Sequence, residues 1–479
     1  MPQNELNLPS SRRSSLLLTA KGGYPYKTLL KIKRSITDQI EALTKPYDLV
    51  VCLSGDPGIC MALEWACLSM RRSWLWLDPA NFDGDISRLA ALLDCNPAAY
   101  FANEIGAIIR FTGSEPDVGN LCIAQSPYGF FVKGSGTTTR SKEYGKIRLT
   151  SGTSGESKAI FYDTRTLNIV HHNMQKALEG LSGKALLLTT PLFWAAGTFI
   201  IPAMSLGFQV YVSRSISETR RLVANIDSDD LIIFATPNIV SSIVKDKSLS
   251  GLLGHYSATF IIAGGPLQVS LAEELSRLSA NSQVLVWFGM TEATLPVLMG
   301  KYKPSSAIAS ASATVPYTQF ASGYLGSEFS QVEGQNDIYE LVIRGKAARA
   351  RRIGSTGAYG QIRTGDLFRP ASISGSMEYI GRRETVINID GVLVFLEKIE
   401  ANIASSLRIK RAVVGIRRSK SEILLKVLLE RHSPEDKSPL SDARRVVAKI
   451  ITEAGVPDTA QDVRFGVADI TPNGKLKRA

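Results

Sequence analysis

The sequence is poor in cysteine, and the few cysteines it has are confined to its first part. Their number is odd, none forms a CxxC pair, and they stand at Cys52, Cys60, Cys67, Cys95 and Cys122. This pattern disfavours a disulfide framework or a zinc site and is typical of a reducing compartment. We therefore expect the protein to be cytoplasmic.

Long apolar runs are also missing. The most membrane-like stretch, residues 193–208, is shorter than the roughly 20 residues that a spanning helix needs, and Pro202 interrupts it. The apolar run at 16–18 is too short for the core of a signal peptide. We interpret residues 193–208 as a segment buried in protein and expect no membrane span.

Acidic residues are outnumbered by basic ones. The 55 Lys and Arg against 44 Asp and Glu give a formal net charge of +11, which favours anionic partners such as nucleotides, coenzyme phosphates, an acidic protein or nucleic acid. The composition is otherwise ordinary for a globular chain, with 44% hydrophobic and 21% charged residues, and excludes a disordered, collagen-like or coiled-coil chain. A chain of 479 residues can bury more than one core.

Strand-like and helix-like segments alternate through most of the chain. Apolar spacing predicts helices over 24–44 and 58–70, and short apolar runs that end in Gly, Pro, Ser or Thr predict buried strands. These runs lie at 48–53, 74–79, 146–149, 184–190, 208–213, 230–237, 258–265 and 283–289. The alternation indicates layered α/β sheets, in which ligands collect at the carboxyl ends of strands.

A change in the sequence pattern near residue 383 predicts a domain boundary. Before it, glycines and basic residues predict a loop over 344–363. We expect a large N-terminal α/β domain, 1–383, and a small α+β domain, 384–479. The elements predicted in the small domain lie at 386–395, 396–406, 412–416, 422–430 and about 440–454.

The strongest local motif is TSGTSGESK at 150–158, which follows a predicted strand. Glycines let backbone N–H groups approach a phosphate closely, hydroxyls add donors, and Lys158 adds a positive charge. The motif does not match the GxxxxGK[ST] pattern of a Walker A loop. A flexible Ser/Gly turn has the same composition, so this motif alone leaves that alternative open.

Two further motifs place carboxylates beside turns. In GQIRTGDLFRP, Asp366 follows a Thr-Gly turn, where it would either accept hydrogen bonds from a ribose diol or cap the turn. In FGMTEAT, Thr291 and Glu292 follow an apolar strand. A carboxylate beside phosphates binds Mg²⁺, but a helix N-terminus would also favour a threonine cap followed by a glutamate. Neither motif is decisive alone.

Two motifs follow near the C-terminus, GRRETVINIDGVLVFLEKIE at 381–400 and TPNGKLKR at 471–478. In their order, the five motifs resemble those of the adenylate-forming superfamily, which includes acyl-CoA synthetases, aryl-acid ligases, peptide-synthetase adenylation domains and firefly luciferase. The superfamily patterns are [ST]SG[ST][ST]GxxK, YGxTE, TGD, GRxxxxIxxxGxxVxxxEIE and PxxxxGKxxR. The resemblance covers essentially the whole chain.

The resemblance implies an enzyme, a ligase that activates a carboxylic acid with ATP and Mg²⁺ as an acyl-adenylate and then transfers the acyl group. It implies a large core that carries the ATP and acyl sites and a small mobile domain that swings between the two half-reactions. The acceptor would be a pantetheine thiol, on coenzyme A or on a separate carrier protein. The basic residues within 408–420 would meet coenzyme A phosphates or an acidic carrier, or simply flank a strand in solvent.

The same resemblance implies roles for individual residues. Thr291 would contact the α-phosphate, Glu292 would hold Mg²⁺, and Lys475 would bridge the acyl carboxylate and the α-phosphate. Glu384 would be the hinge residue, and Gly391 would line the thiol tunnel. The other ATP-binding residues would be Thr150, Ser151, Gly152, Thr153, Ser154, Gly155 and Lys158 at the β- and γ-phosphates, Gly264, Gly265, Phe288 and Gly289 at the adenine, and Asp366 with Arg382 at the ribose.

The acyl pocket would be bordered by PLFWAAGTF at 191–199, through Phe193, Trp194 and Gly197. Amino-acid-activating members commonly have an Asp where Trp194 stands, and residues 191–200 contain no acid. An unpaired buried ammonium would be costly, so an α-amino acid is disfavoured. A wide aromatic side chain favours an aryl or short acid over a fatty acid, unless Trp194 is simply core packing.

Some positions depart from the superfamily pattern, and two alternatives stay open. Phe288 replaces the usual Tyr, and Val286 stands where an amide side chain often meets the adenine amino group. In the first alternative the chain passes its adenylate to an amine or to oxygen, and in the second it binds a nucleotide or nucleic acid without catalysis. Lys475 disfavours the non-catalytic alternative, and no interleaved aromatic and basic nucleic-acid motif is present. His171 and His172 are interpreted as packing or surface residues.

Overall fold

The computed structural model describes most of the chain. The described residues are 15–19, 22–77, 86–95, 97–102, 123–126, 129–133, 143–151, 157–181, 185–193, 195–279, 281–293, 296–303, 314–319, 325–345, 348, 350–353, 360–389, 392–407, 409, 411–418, 423–431, 440–454 and 460–466.

The strands, in chain order, are β1 Ser15–Thr19, β2 Gly22–Pro25, β3 Leu49–Leu53, β4 Ser73–Leu77, β5 Ala99–Ala102, β6 Ile123–Ser126, β7 Gly129–Lys133, β8 Gly145–Ser151, β9 Ser157–Asp163, β10 Ala185–Leu188, β11 Gln209–Val212, β12 Asp230–Ala235, β13 Ser257–Ala263, β14 Gln283–Phe288, β15 Leu298–Lys301, β16 Thr318–Gln319, β17 Leu325–Gln331, β18 Tyr339–Gly345, β19 Arg351–Arg352, β20 Gln361–Pro370, β21 Met377–Arg382, β22 Val386–Ile389, β23 Val392–Phe395, β24 Arg411–Arg418, β25 Ile423–Glu430 and β26 Ala460–Phe465.

The α-helices, in chain order, are α1 Tyr26–Leu43, α2 Pro57–Ser69, α3 Ile86–Leu93, α4 Thr164–Glu179, α5 Ile200–Ser205, α6 Ile216–Val223, α7 Pro237–Lys245, α8 Lys247–Leu253, α9 Val269–Ser276, α10 Leu396–Leu407 and α11 Leu440–Glu453. Short 3₁₀ helices lie at Ala195–Thr198 and Arg383–Thr385. Several helices begin at a side chain that accepts a backbone N–H, such as Asp56 before α2 and Asp163 before α4.

The largest sheet among the described residues has nine strands, in the order β16-β15-β14-β13-β12-β10-β11-β1-β2. The six neighbouring strands β14, β13, β12, β10, β11 and β1 are parallel to one another. The outer strands β2, β15 and β16 pair antiparallel to their neighbours. The central strands are apolar on both faces, as expected where helices cover a parallel sheet. Since β13 pairs with β14 in parallel, their carboxyl ends lie side by side.

A second sheet, eight-stranded within the described residues, has the order β19-β9-β8-β4-β3-β5-β7-β6. Its parallel centre is formed by β8, β4, β3 and β5, and β9 returns antiparallel to β8 as a hairpin. Helix α2 is buried along nearly all of its length because it contacts β3 and β4 of this sheet and β1 of the other. An apolar helix between two sheets is what its uniformly hydrophobic sequence predicts.

Three smaller sheets complete the described fold. An antiparallel sheet has the order β17-β18-β20-β21 and carries the TGD motif on β20. After it come the β22–β23 hairpin and the sheet β24-β25-β26, against which α10 and α11 pack. These last elements share a hydrophobic cluster of their own, centred on Ile403, Val414 and Val447. The domain boundary between 383 and 384 stays a prediction.

Most of the predicted elements are confirmed, and one loop is wrong. The helices predicted over 24–44 and 58–70 are α1 and α2, and each of the eight predicted strand runs contains a strand. The loop predicted over 344–363 instead contains β19 and the start of β20. Arginines and glycines there misled the prediction, because the exposed edges of a sheet tolerate charged side chains.

The apolar segment 193–208 is short and buried. Its described part forms a 3₁₀ turn and α5, whose residues Ile200–Met204 are buried among neighbouring helices. No helix in the described ranges combines the length and apolarity that crossing a membrane would require.

A buried ion pair joins α2 to the second sheet. Lys146 on β8 and Glu64 on α2 lie 2.7 Å apart, with side chains only 4% and 2% exposed. The indole of Trp74 donates to the same carboxylate at 3.2 Å, and the ammonium lies 3.6 Å from the ring centroid of Trp76. Burial lowers the pKa of Lys146 although Glu64 attracts its charge. The two charges are therefore stabilised by each other and by the neighbouring indoles, because both side chains are almost fully removed from water.

His171 on α4 lies near this pair and makes the fold sensitive to acid. Burial lowers the pKa of His171 from 6.5 to about 4, and the attraction of Glu64 does not offset that effect. Between these two pH values the unfolded chain binds a proton that the folded chain does not. The free energy of unfolding should therefore fall as pH drops from 6.5 to 4, by about 2 kcal/mol from this group, since partial exposure reduces the full shift. Denaturant unfolding of His171→Gln should lack this part of the slope, whereas His172→Gln should retain it.

Candidate functional site

The β8–β9 hairpin presents the ends of the phosphate-loop motif. Thr150 is paired with Lys158, and Ser151 with Ser157, across the two antiparallel strands. Lys158 is half-buried and emerges from the strand at the tip of the hairpin. The loop residues Gly152, Thr153, Ser154 and Gly155 lie outside the described residues. The hairpin thus brings Thr150 and Lys158 together, as the phosphate role requires.

The two segments predicted at the adenine leave adjacent strands. Ala263 and Trp287 pair in register, so Gly264–Gly265 and Phe288–Gly289 follow the ends of neighbouring strands. Gly264 has φ +86°, a conformation that glycine adopts at little cost, and a Cβ there would lie 3.4 Å from Thr236. The structure therefore brings these two segments together.

Val286 contributes core packing and no contact to a ligand. Its side chain is 0% exposed within the hydrophobic cluster of the first sheet. The adenine edge would therefore be recognised by backbone groups of the two neighbouring segments.

An aromatic cluster connects Phe288 to the strand of the TGD motif. The ring of Phe288 contacts those of Tyr317 and Phe368, edge to face, at centroid distances of 6.2 and 5.7 Å. Phe368 stands two residues after Asp366 on β20 and also meets Tyr379 at 5.6 Å. Burial, and next the charge of Asp366, raise the pKa of Tyr317 far above its usual value. A phenylalanine at 288 thus packs where a tyrosine would need a partner for its hydroxyl.

Asp366 and Arg382 form a paired unit across β20 and β21. The Arg382 guanidinium donates from Nε to Oδ1 at 3.0 Å and from Nη2 to Oδ2 at 3.4 Å. Burial disfavours the charge of Arg382, but hydrogen bonding and attraction from Asp366 outweigh it and raise the pKa of the guanidinium. The predicted Thr-Gly turn is instead a break in the register within β20, where Gly365 has φ +72°. The two residues predicted at the ribose are therefore in direct contact.

Glu340 is a site residue that the sequence analysis missed. Its carboxylate, on β18 and 3% exposed, accepts from Arg363 at 2.6 Å, from Arg383 at 3.0 Å and from the backbone N–H of Gly365 at 3.2 Å. It thus fixes the register break in β20 immediately before Asp366. A lone acid on an otherwise apolar strand, ELVIRG, is the signal that would have found it.

The Thr291–Glu292 segment is hydrogen-bonded to the β8–β9 hairpin. The buried hydroxyl of Tyr162 on β9 donates to the backbone carbonyl of Thr291. Burial raises the pKa of Tyr162, and the charge of Glu292 adds to that effect against the opposing charge of Arg148. Tyr162, which the sequence analysis did not single out, therefore connects two motifs that are far apart in sequence.

Mg²⁺ fits this segment. Within the described part of the chain, no group of three or more His, Cys, Asp or Glu side chains is arranged to hold a metal ion. Mg²⁺ beside a nucleotide needs only one or two carboxylates, because phosphate oxygens and waters complete its octahedron. The half-buried carboxylate of Glu292 is compatible with that role.

The remaining predicted residues are only partly described. Phe193 is half-buried, and a Cβ on Gly197 would lie 2.1 Å from the carbonyl oxygen of Leu192, so only glycine fits. The carboxylate of Glu384 lies 3.4 Å from Nη1 of Arg382, at the 3₁₀ turn between β21 and β22. Trp194, Gly391 and Lys475 lie outside the described residues, as do most of the basic side chains within 408–420.

Comparisons with known proteins agree with this arrangement. Residues 146–332 match the family model of AMP-binding enzymes. Malpinin synthetase from Mortierella alpina is 24% identical over 92% of this chain, which spans 6% of that protein.

Residues 146–332 thus carry an AMP-binding enzyme domain.

Two solved structures show the same two-domain fold. O-succinylbenzoate CoA synthetase (MenE) from Bacillus subtilis, with its acyl-adenylate OSB-AMP, has a TM-score of 0.73 at 16% identity and covers 98% of this chain and 95% of its own. The amide bond synthetase McbA from Marinactinospora thermotolerans has a TM-score of 0.70 at 17% identity and covers 96% and 94%.

The predicted ribose contact of Asp366 can be tested by substitution. Replacing Asp366 by Asn should raise the KM for ATP about 10- to 100-fold, since a charge-assisted hydrogen bond is lost and Arg382 loses its partner. Steady-state pyrophosphate exchange measures this KM. The exposed pair of Arg369 and Glu378 lies on the same two strands, so Glu378→Gln is a matched control that should change KM less than about twofold. An unchanged KM in Asp366→Asn would remove Asp366 from the ribose site.

Proposed function

We propose that the chain activates a small carboxylic acid with ATP and Mg²⁺ as an acyl-adenylate and transfers the acyl group to a pantetheine thiol of coenzyme A or of a stand-alone carrier protein. An aryl or short acid is favoured over an α-amino acid. The observation that supports the proposal is that contacts connect the motifs. Tyr162 of the β8–β9 hairpin donates to Thr291, and the ring of Phe288 contacts that of Phe368 on the strand that carries Asp366.

The chemical difficulty of the first half-reaction is electrostatic. A carboxylate is a weak nucleophile toward a polyanion, so the site has to orient both partners and neutralise charge at the α-phosphate. Lys158, which is paired with Thr150 on its hairpin, would contact the terminal phosphates, and Tyr162 on the same strand donates to the carbonyl of Thr291. Lys475 would supply the positive charge between the acid and the α-phosphate, and bound Mg²⁺ would neutralise phosphate oxygens beside Glu292.

The second half-reaction would use movement of the C-terminal elements. Glu384 stands where the chain passes from the antiparallel sheet to the β22–β23 hairpin, a suitable place for a few backbone torsions to change. A turn at this point would withdraw Lys475 and bring the Gly391 region to the acyl-adenylate. The acceptor could be a thiol, as in the proteins named as CoA synthetases, or an amine, as the name of McbA suggests.

Acid-dependent exchange between ATP and labelled pyrophosphate tests the proposal. The panel contains aryl, short-chain and long-chain acids and α-amino acids. We expect strong exchange with an aryl or short acid, after which mass spectrometry of reactions with coenzyme A, a phosphopantetheinylated carrier or an amine identifies the acceptor. ATP binding without exchange for any acid would overturn catalysis and favour a nucleotide-binding protein.

A further inference from the structure

A small cavity lies between the two large sheets and is lined by residues of both. Its volume is about 160 Å³, and we call it the ring cavity; the residues that define it here are Ser54, Cys60, Trp76, Thr190, Phe193 and Ser213. Ser54, Thr190 and Ser213 follow the carboxyl ends of β3, β10 and β11, where ligands collect in α/β sheets.

The ring cavity continues the predicted acyl pocket. Phe193 belongs to both, and a Cβ on Gly197 would lie 2.9 Å from Cζ3 of Trp76. The Trp76 ring therefore stands directly against the glycine that borders the acyl pocket. A second contact supports the orientation of the Trp76 ring, because the ammonium of Lys146 in the buried ion pair lies 3.6 Å from the ring centroid.

Two buried polar groups of the ring cavity have no hydrogen-bond partner among the described residues. They are the indole Nε1 of Trp76 and the hydroxyl of Thr190, whose side chains belong to residues 4% and 2% exposed. Unpaired buried groups of this kind are costly and uncommon in native proteins. An indole N–H can only donate, so a ligand that satisfies it has to bring an acceptor.

The volume of the ring cavity and the charge at its rim restrict the class of ligand further. A cavity of about 150 Å³ in an engineered protein holds one benzene molecule, so the ring cavity has room for one six-membered ring and not for a long acyl chain. The exposed guanidinium of Arg214 lies at its rim, where a Cβ on Gly55 would be 2.8 Å from Nη1. A positive rim favours an electron-rich or anionic substituent.

We propose that the ring cavity binds the ring of a monocyclic aromatic acid that carries an oxygen substituent, and that Trp76 and Thr190 recognise this oxygen. The inference rests on the proposed function, because it names the substrate class of the same acyl site. It makes Trp76 and Thr190 specificity-determining residues.

Pyrophosphate exchange with matched acids tests the substrate class. The probes are benzoate, its three monohydroxy derivatives, hexanoate, hexadecanoate and phenylalanine. We expect kcat/KM for at least one hydroxybenzoate to exceed that for benzoate at least tenfold, with little exchange for hexadecanoate or phenylalanine.

Two substitutions separate recognition from packing. Trp76→Phe removes the indole N–H, and Thr190→Val removes the hydroxyl with little change of shape. Each should lower kcat/KM for the preferred hydroxybenzoate about tenfold, mainly through KM, and leave benzoate within about threefold. Trp65→Phe and Thr166→Val are matched controls, because both residues are buried with the same unpartnered atoms and neither lines the ring cavity. The controls should affect both acids equally.

The possible outcomes distinguish this inference from the proposed function. Equal losses for benzoate and the hydroxybenzoate in Trp76→Phe and Thr190→Val, with melting temperatures like those of the controls, would overturn recognition by these residues. Exchange that prefers hexadecanoate, hexanoate or phenylalanine would overturn the ring cavity and leave the ligase function intact. The absence of exchange with every acid, despite ATP binding, would overturn the proposed function itself.

Discussion

Replacing Lys475 by Ala is expected to lower acid-dependent pyrophosphate exchange about 100- to 1,000-fold, the size of effect seen when one group that stabilises transition-state charge is removed. Lys475 belongs to the tail TPNGKLKR, outside the described residues, and its role follows from the superfamily resemblance. Since the acid and the α-phosphate are both negative, a cation between them lowers the barrier to adenylation more than it strengthens ATP binding. The loss should therefore appear in kcat, with the KM for ATP changed less than about threefold.

Lys477 provides the matched control for this prediction. It has the same charge and lies two residues along the same tail, so Lys477→Ala should retain exchange within about threefold. Transfer from chemically prepared acyl-adenylate to the acceptor should survive in Lys475→Ala, because the second half-reaction does not use this side chain. Full exchange activity in Lys475→Ala would contradict the mechanism.

Replacing Glu64 by Gln is expected to lower the free energy of unfolding by about 3–5 kcal/mol, because it leaves the charge of Lys146 buried without a counter-ion. Gln has nearly the same shape as Glu, so the loss reports charge rather than packing. All five tryptophans precede residue 288, and tryptophan fluorescence in denaturant therefore follows the N-terminal part of the fold.

Two further variants separate charge from other effects. The double variant Glu64→Gln with Lys146→Met removes both charges and should recover most of the loss. The exposed pair of Glu273 and Arg277 on α9 is the matched control, and Glu273→Gln should cost less than about 1 kcal/mol. Because burial lowers the pKa of Lys146, the unfolded state holds more protons at alkaline pH, and the stability of Glu64→Gln should rise as pH increases toward 10.5. A loss that the double variant does not recover would contradict the charge explanation.

The strand and helix pattern was predictable because it depends on local sequence. Apolar runs such as DLIIFA and helix spacing such as Leu29, Ile32, Ile36 and Ile40 belong to elements that bury one or both faces. The loop predicted over 344–363 was wrong because the charged residues of β19, an edge strand, and of the exposed start of β20 resemble those of loops. Edge strands carry charge to limit pairing with other chains, and composition alone does not distinguish them from loops.

The candidate site was predictable as a set of motifs and not as a set of contacts. The order of the motifs pointed to the nucleotide residues, yet nothing local to Asp366 predicted that Arg382 would be its partner across β20 and β21. Glu340, Tyr162 and Trp76 were missed for the same reason. Each acts through a residue distant in sequence, and such pairings depend on strand register.

The α/β layering, most element positions and the resemblance to adenylate-forming enzymes were evident from sequence alone, because hydrophobic periodicity and motif order are properties of local segments. Only the tertiary structure decided which polar groups meet: the buried pair of Glu64 and Lys146, the tie from Tyr162 to Thr291, and the ring cavity with its unpaired donors at Trp76 and Thr190. These features arise where two sheets face each other across α2, and their geometry is set by packing between segments that lie far apart in the chain.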